Sequence, residues 1–366
     1  MLLVSGPWRR AFPSSRTAYH LAFTPDGRWL ATCPNSRPVG LWPLRALDGP
    51  PRSLAEGCIN LAIDPTGRQV LVGKLNRGVA LYPFQGGAPR RLTEAGAKWY
   101  AVAFAPDGRR AVAVPGDGFP EFKDPASRVL RVWDLPSGKE QVHSIAHLTD
   151  AEWQGWRPAF APDGRLYAAG WDGVRRLSLP TEAGGAVSSE TLHEAGFAYL
   201  DLSRDGRLLL VWATRSRAFL APGDELLLFD LKANASRRIT THGARVQSGM
   251  LSPSGRVVVT GGEDGVVRVG PVTGEEPHLL IGHRGPVVGL AISPDERWIA
   301  SSSDEAISIW PMPDVTRPPL HTLPYAGLLA RLDALTNLRV VRDSASATGW
   351  KLDIGPFPGW QDVPTW

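Results

Sequence analysis

Two cysteines, three methionines and no run of about 18 apolar residues mark what this 366-residue chain does without. Cys33 and Cys58 supply neither a disulfide framework nor the paired spacing of a zinc site, and they read as small buried free thiols near strand ends of neighbouring repeats. Without a long apolar run no membrane-spanning helix is expected, and Met1 to Gly6 is too short for the apolar core of a secretory signal ahead of Trp8-Arg9-Arg10. A soluble, cytoplasmic chain is the expectation. Gly-rich phosphate loops and nucleophile elbows are also missing, so no cofactor is called for. His143 and His147 stand four apart, but in a strand-rich context they share no helical face, and the Gly116-Asp117-Gly118 sequence lacks the later ligands of a calcium loop. The formal charge of +4 is spread along the chain. Arg28, Arg109, Arg165 and Arg207 each follow an Asp two residues earlier, which describes a solvated face rather than a nucleic-acid stripe.

What the chain has in abundance is one turn. It occurs seven times, as Phe23-Thr-Pro-Asp-Gly-Arg28, Ile63-Asp-Pro-Thr-Gly-Arg68, Phe104-Ala-Pro-Asp-Gly-Arg109, Phe160-Ala-Pro-Asp-Gly-Arg165, Leu202-Ser-Arg-Asp-Gly-Arg207, Leu251-Ser-Pro-Ser-Gly-Arg256 and Ile292-Ser-Pro-Asp-Glu-Arg297. An apolar residue ends a strand, Pro presets one turn angle, Asp or Ser bonds the local backbone, and Gly accepts positive φ. A second mark follows each turn in the same order: Leu41-Trp42, Leu81-Tyr82, Val132-Trp133, Leu177-Ser178, Leu228-Phe229, Val269-Gly270 and Ile309-Trp310. Two marks recurring at roughly 40 to 56 residues predict seven four-stranded units, none of which can bury its apolar faces alone.

The last unit, Gly282 to Trp310, is the most complete. Gly282-His283 precedes its first strand, Ser293-Pro294-Asp295 makes the first turn, Ser301 to Ser303 end the second strand, and Asp304 stands six residues before Trp310. In these features the chain resembles the WD40-repeat family, in the form of a bacterial-type propeller. The resemblance implies an all-β, seven-bladed β-propeller over residues 1–324, with strand A of each blade innermost. It also implies that Asp304, His283, a strand-B hydroxyl and Trp310 form a buried hydrogen-bonded relay. Blade six keeps His242, Thr260 and Asp264 but has Gly270 in place of the Trp, and blade four has Asp172 in its turn but Ser178 at that position. Asp172, Asp264 and Asp304 share one repeat position, so they read as structural rather than as a catalytic set. In the family an N-terminal strand often completes the last blade; Pro7 to Phe12 is favoured for that role here over Pro319 to Leu323. Residues 325–366 lie outside the repeat. Tyr325, Leu328, Leu329, Leu332 and Leu335 follow helical spacing, and Leu338–Val341 with Gly349–Ile354 read as a strand pair, an extension expected to pack on the propeller.

Three connections are enlarged: Pro115 to Ser127, Gly138 to Pro158, and Ala213 to Asp224. In a propeller all three leave from one face. They carry Phe119, Phe122, Trp153, Trp156, Arg215, Arg217 and Phe219, the aromatic and Arg chemistry enriched at interface hot spots. The function expected from the resemblance is a monomeric, non-catalytic scaffold presenting these loops to a protein partner, with no nucleic acid, membrane, metal or cofactor involved. A TolB-like propeller, a hydrolase or lyase working in the central channel, and a sensor module beside a kinase or other regulator are the alternatives.

Overall fold

Thr-Pro-Asp-Gly folds the chain back on itself the same way each time. In the first turn the Thr24 hydroxyl and the Arg28 N–H both donate to Asp26 Oδ1, at 2.5 and 3.0 Å, and Gly27 N–H donates to Thr24 O at 2.8 Å. Gly27 takes φ +65°, a region that a side chain resists. The seventh turn places Glu296 there instead, at φ 58°, and the Glu296 carboxylate accepts hydrogen bonds from the backbone and hydroxyl of Ser254 in the neighbouring turn.

The computed structural model describes residues 10–13, 18–34, 37–44, 51–74, 78–93, 99–115, 128–145, 157–170, 173–180, 185–194, 199–212, 226–243, 245–328, 330, 338–342 and 350–354. After β1 (Arg10–Pro13), blade one is built from β2 (Ala18–Phe23), β3 (Trp29–Pro34), β4 (Arg37–Pro43) and the first part of β5 (Arg52–Ile63). Blade two takes the rest of β5 with β6 (Gln69–Lys74), β7 (Gly78–Pro83) and β8 (Arg90–Arg91). Blade three is β9 (Trp99–Phe104), β10 (Arg110–Pro115), β11 (Val129–Asp134) and β12 (Glu140–Ser144). Blade four is β13 (Arg157–Phe160), β14 (Leu166–Gly170), β15 (Gly173–Ser178) and β16 (Ser188–His193). Blade five is β17 (Tyr199–Leu202), β18 (Leu208–Trp212), β19 (Leu226–Asp230) and β20 (Ala235–Arg238). Blade six is β21 (Val246–Leu251), β22 (Val257–Gly262), β23 (Val266–Pro271) and β24 (His278–Ile281). Blade seven is β25 (Gly289–Ile292), β26 (Trp298–Ser302) and β27 (Ala306–Pro311), completed by β1. The first strands of the blades neighbour one another in a closed ring, which makes strand A innermost as the repeat predicts.

The N-terminal segment closes that ring. Arg10 pairs with Ile309 and Pro13 with Ala306, while the competing segment forms a short 3-10 helix, Leu320–Thr322. Across the ring closure Ser302 Oγ–H donates to Ala18 O at 2.5 Å, a polar tie between the last blade and the first.

Apolar side chains gather between blades rather than within them. Among the described residues there are seven such clusters, each shared by two adjacent blades around the ring. The second strands show why: Val70 and Val72 of β6 face blade one, while Leu71 between them faces blade three. In β18, Leu209 and Val211 face blade four, and Leu210 and Trp212 face blade six. A strand buried on both faces reads as an unbroken apolar run, which is what Leu-Leu-Leu-Val-Trp is. Truncating one of these, such as fully buried Leu209, to Ala would cost about 2–5 kcal/mol.

One expectation is overturned in blades one and two. Cys33 and Cys58 are not free thiols: they form a disulfide across the two blades, with Cα atoms 5.6 Å apart. The reason is the continuity of β5. A twelve-residue strand serves as the outer strand of blade one and the inner strand of blade two, bending at Gly57, φ +73°. Cys58 therefore pairs with Arg37 of β4 as well as Lys74 of β6, which brings it back beside β3.

Past the propeller, residues 325–328 begin a helix. Tyr325, placed by its spacing on the packed face, is 78% exposed, and Leu328 is half-buried. Leu329, Leu332 and Leu335 lie outside the described residues. The expected strand pair is present as β28 (Leu338–Arg342) and β29 (Trp350–Ile354), with Leu338 opposite Ile354.

Candidate binding faces and the central channel

The strand ends fix where the enlarged connections leave the ring. β10 ends at Pro115 and β11 begins at Val129, β18 ends at Trp212 and β19 begins at Leu226, and β12 ends at Ser144 before β13 begins at Arg157. Two of these are B–C connections and one is D–A, and all three depart from the face opposite the Asp-Gly turns. The connection into blade four is shorter than its expected start at Gly138, because Glu140–Ser144 pairs with β11 as the blade's outer strand. Phe119, Phe122, Trp153, Trp156, Arg215, Arg217 and Phe219 all lie outside the described residues, as do His147, Asp172 and Gly116 to Gly118. His143 is fully buried in β12, its Nδ1 within 3.4 Å of Gly185 O. Among the described residues no group of three or more His, Cys, Asp or Glu is arranged to hold a metal ion.

Blade seven carries a buried relay. Trp310 Nε1–H donates to Ser301 Oγ at 2.7 Å; Ser301 Oγ lies 2.7 Å from His283 Nε2, and His283 Nδ1 lies 3.0 Å from Ser303 Oγ. Ser301 can accept from the indole and donate to Nε2, leaving Nδ1–H to donate to Ser303, so every atom in the chain has a partner. Of the expected relay, His283 and Trp310 meet through Ser301, with Ser303 at the histidine's other ring nitrogen; Asp304 is exposed on the adjoining B–C turn. Blade six shows the degenerate form. His242 Nδ1 lies 2.9 Å from Thr260 Oγ1, but Nε2 is buried without a hydrogen-bond partner where the indole would be. A Cβ on Gly270 would stand 2.9 Å from that nitrogen. Burial and the nearby Arg268 charge push His242 down to about 3, so the ring stays neutral. Asp264 pairs instead with Arg268 at 2.6 Å, a structural role.

Down the axis the inner strands present polar groups to one another. His20 of blade one lies 3.2 Å from the side-chain nitrogen of Asn60 in blade two, and Asn60 Oδ1 accepts from Val102 N–H of blade three at 3.4 Å. Burial, with the charge of Arg157 from blade four, pushes His20 to about 3. Arg157 stacks over Tyr199 at 4.1 Å, and Tyr199 lies flat on Trp212, 5.5 Å between ring centres.

At the Asp-Gly turn end the channel widens into a cavity of about 360 Å³. Its walls include Phe23, Met250, Leu251 and Ile292, and its rim carries the turn prolines Pro25, Pro65, Pro253 and Pro294. Two polar residues of blade five also line it, Asp201 and Arg204. Asp201 Oδ2 accepts from Leu251 N–H at 2.7 Å. The residue keeps some surface open to the cavity, yet enclosure by the inner strands dominates and pushes its carboxyl up to about 6, against the backbone hydrogen bonds that pull it down. Neither residue stood out when the turns were compared only for what they share. The available signal was departure from the repeat. Six turns carry Pro where blade five carries Arg204, and the residue before the strand-ending apolar position is Ala in five blades, Met250 in one and Asp201 in blade five.

Two segments match the WD domain, G-beta repeat family, at residues 234–269 and 274–311. Each begins on the outer strand of one blade or just before it and ends on the third strand of the next, and together they contain the partial relay of blade six and the satisfied relay of blade seven. With a closed ring of seven four-stranded blades around those matched repeats, the chain is a seven-bladed β-propeller that carries WD40 repeats at residues 234–269 and 274–311.

Proposed function

We propose that this propeller is a non-catalytic protein-interaction scaffold that presents the three enlarged connections of blades three to five to a protein partner. The observation that carries this reading is the placement of the strand ends: Pro115, Val129, Ser144, Arg157, Trp212 and Leu226 direct those connections to one face. A ring held by interblade cores is a firm scaffold of the kind on which binding loops are carried. The aromatic and Arg content of the connections supplies hot-spot chemistry. Asp264, a carboxylate at the repeated B–C turn position, is paired with Arg268.

Affinity capture with the full chain followed by mass spectrometry tests the proposal. The reading expects partners that bind the parent and are lost from a folded Trp153→Ala, Arg215→Ala double variant. Partners retained equally by both would place docking elsewhere.

A further inference from the structure

The proposed partner face leaves the opposite mouth of the channel unused, and that mouth holds the described residues' clearest break in repeat symmetry. Blade five departs from the chain's own pattern twice within four residues, at Asp201 and Arg204, and both residues line the same cavity. Each departure is costly or unneeded for the fold. An acidic group replaces the Ala of five other blades inside an enclosed ring, where a charge is poorly solvated. An Arg replaces a Pro that presets the turn, although the turn closes identically, with Gly206 N–H on Ser203 O at 2.8 Å and Ser203 Oγ–H on Asp205 at 2.6 Å.

Neither charge is neutralised internally. Among the described residues Asp201 meets backbone N–H groups but no cation, and Arg204 makes no ion pair or hydrogen bond, its turn's own carboxylate Asp205 being engaged by Ser203 and Arg207 N–H. A carboxylate that accepts from Leu251 N–H retains lone pairs for a further donor, and a guanidinium presents five donors in a planar fork suited to a carboxylate. Apart from Ser252, whose hydroxyl is engaged by Ser254 Oγ and Val257 N–H, the remaining lining residues are apolar. The volume of about 360 Å³ falls at the small end of ligand pockets, which are typically about 300–1,000 Å³.

A cation alone would meet the Arg204 charge, and an anion alone would meet that of Asp201. A small molecule carrying both charges beside an apolar body answers both charged residues and the apolar lining. We propose that the Asp-Gly turn mouth of the channel is a binding site for a free α-amino acid with a large apolar side chain, its ammonium held by Asp201, its carboxylate by Arg204, and its side chain against Phe23, Met250 and Ile292.

The test is isothermal titration of the full chain with L-leucine and L-phenylalanine, beside N-acetyl-L-leucine, which lacks the cation, and L-leucinamide, which lacks the anion. The expected result is saturable binding of at least one amino acid, weakened tenfold or more in both derivatives. Asp201→Asn and Arg204→Pro should each weaken it by a similar factor. Asn keeps an acceptor for Leu251 N–H, and Pro restores the residue of the other six turns, so both variants should fold, as an unchanged circular dichroism spectrum would verify. The proposal is overturned if neither amino acid binds the parent, if the derivatives bind equally well, or if the two folded variants bind as the parent does.

Discussion

Replacing Asp201 by Asn isolates the cost of one enclosed charge. The carboxyl ordinarily titrates near 3.8 and is pushed to about 6 in the folded ring. At about 1.4 kcal/mol per tenfold change in proton affinity, that difference corresponds to about 3 kcal/mol. Its sign follows from proton counting. Between about 3.8 and 6 the folded state holds the proton more tightly than the unfolded chain, so stability falls as pH rises through this window and the full cost is present above about 6. Asn carries no charge and can still accept from Leu251 N–H, while its amide hydrogens face a cavity that admits water. Asp201→Asn is therefore expected to stabilise the protein at pH 7.5 by up to about 3 kcal/mol, and to have little effect at pH 3.5, where the parent carboxyl is protonated in the folded state and mostly protonated in the unfolded chain. Urea denaturation of parent and variant at the two pH values measures it. Comparing the two proteins at each pH cancels every other titrating group. Equal stabilisation at both pH values, or destabilisation at pH 7.5, would refute the reasoning.

Ser301→Ala should remove the shared partner of Trp310 and His283 and cost on the order of 1–3 kcal/mol per orphaned group, whereas exposed Asp304→Ala should cost under 1; their melting temperatures in parallel decide it. His20 and His242 are held neutral down to about 3, so the unfolded chain gains protons first as pH drops below 6.5, and stability should decline from there toward pH 3; a His242→Gln variant should show a shallower decline in a pH series of melting curves. The Cys33–Cys58 bridge spans a sequence separation of 25, for which loop entropy gives about 3.5 kcal/mol; a Cys33→Ser, Cys58→Ser variant should unfold at correspondingly lower urea, and the oxidised parent should lack free thiol in a denaturing thiol assay.

The blades were legible because each is announced by local chemistry. A Pro-Asp-Gly turn and a strand-ending apolar residue need only near neighbours to take effect, and their sevenfold recurrence leaves one economical architecture. Closure by β1 was readable only as a choice between two segments, since Arg10–Pro13 and Pro319–Leu323 both follow the composition of an outer strand; the second curls into a 3-10 helix. The disulfide was not readable. Bringing Cys58 to Cys33 depends on β5 continuing unbroken through Gly57, where the repeat pattern suggested two separate strands. The family pattern named a strand-B hydroxyl for the relay, but that Ser301 and Ser303 both meet the His283 nitrogens is set by where they sit at the end of β26, a matter of ångströms. The cavity was hidden for a different reason: its two polar residues are exceptions to a repeat, and a search for repetition looks past exceptions.

The strand that shuts the ring is made long before the strand it pairs with. During synthesis β1 leaves the ribosome nearly 300 residues ahead of β27, its eventual neighbour, as the pairing of Pro13 with Ala306 requires. At about 5–20 residues per second this is a wait of roughly 15–60 s, while blades one to six can assemble in order, each against its predecessor. Until then the growing protein is an open crescent with blade one bare on one side. Alanine and leucine side chains such as Ala18 and Leu30, later sealed against blade seven, are exposed to any chaperone or neighbouring chain in the interval. The four residues of the latch are Arg-Ala-Phe-Pro, and their Arg and Pro discourage a stray strand from pairing there prematurely. The arrival of Ile309 and Ala306 ends the vulnerable period and converts a linear stack into a ring.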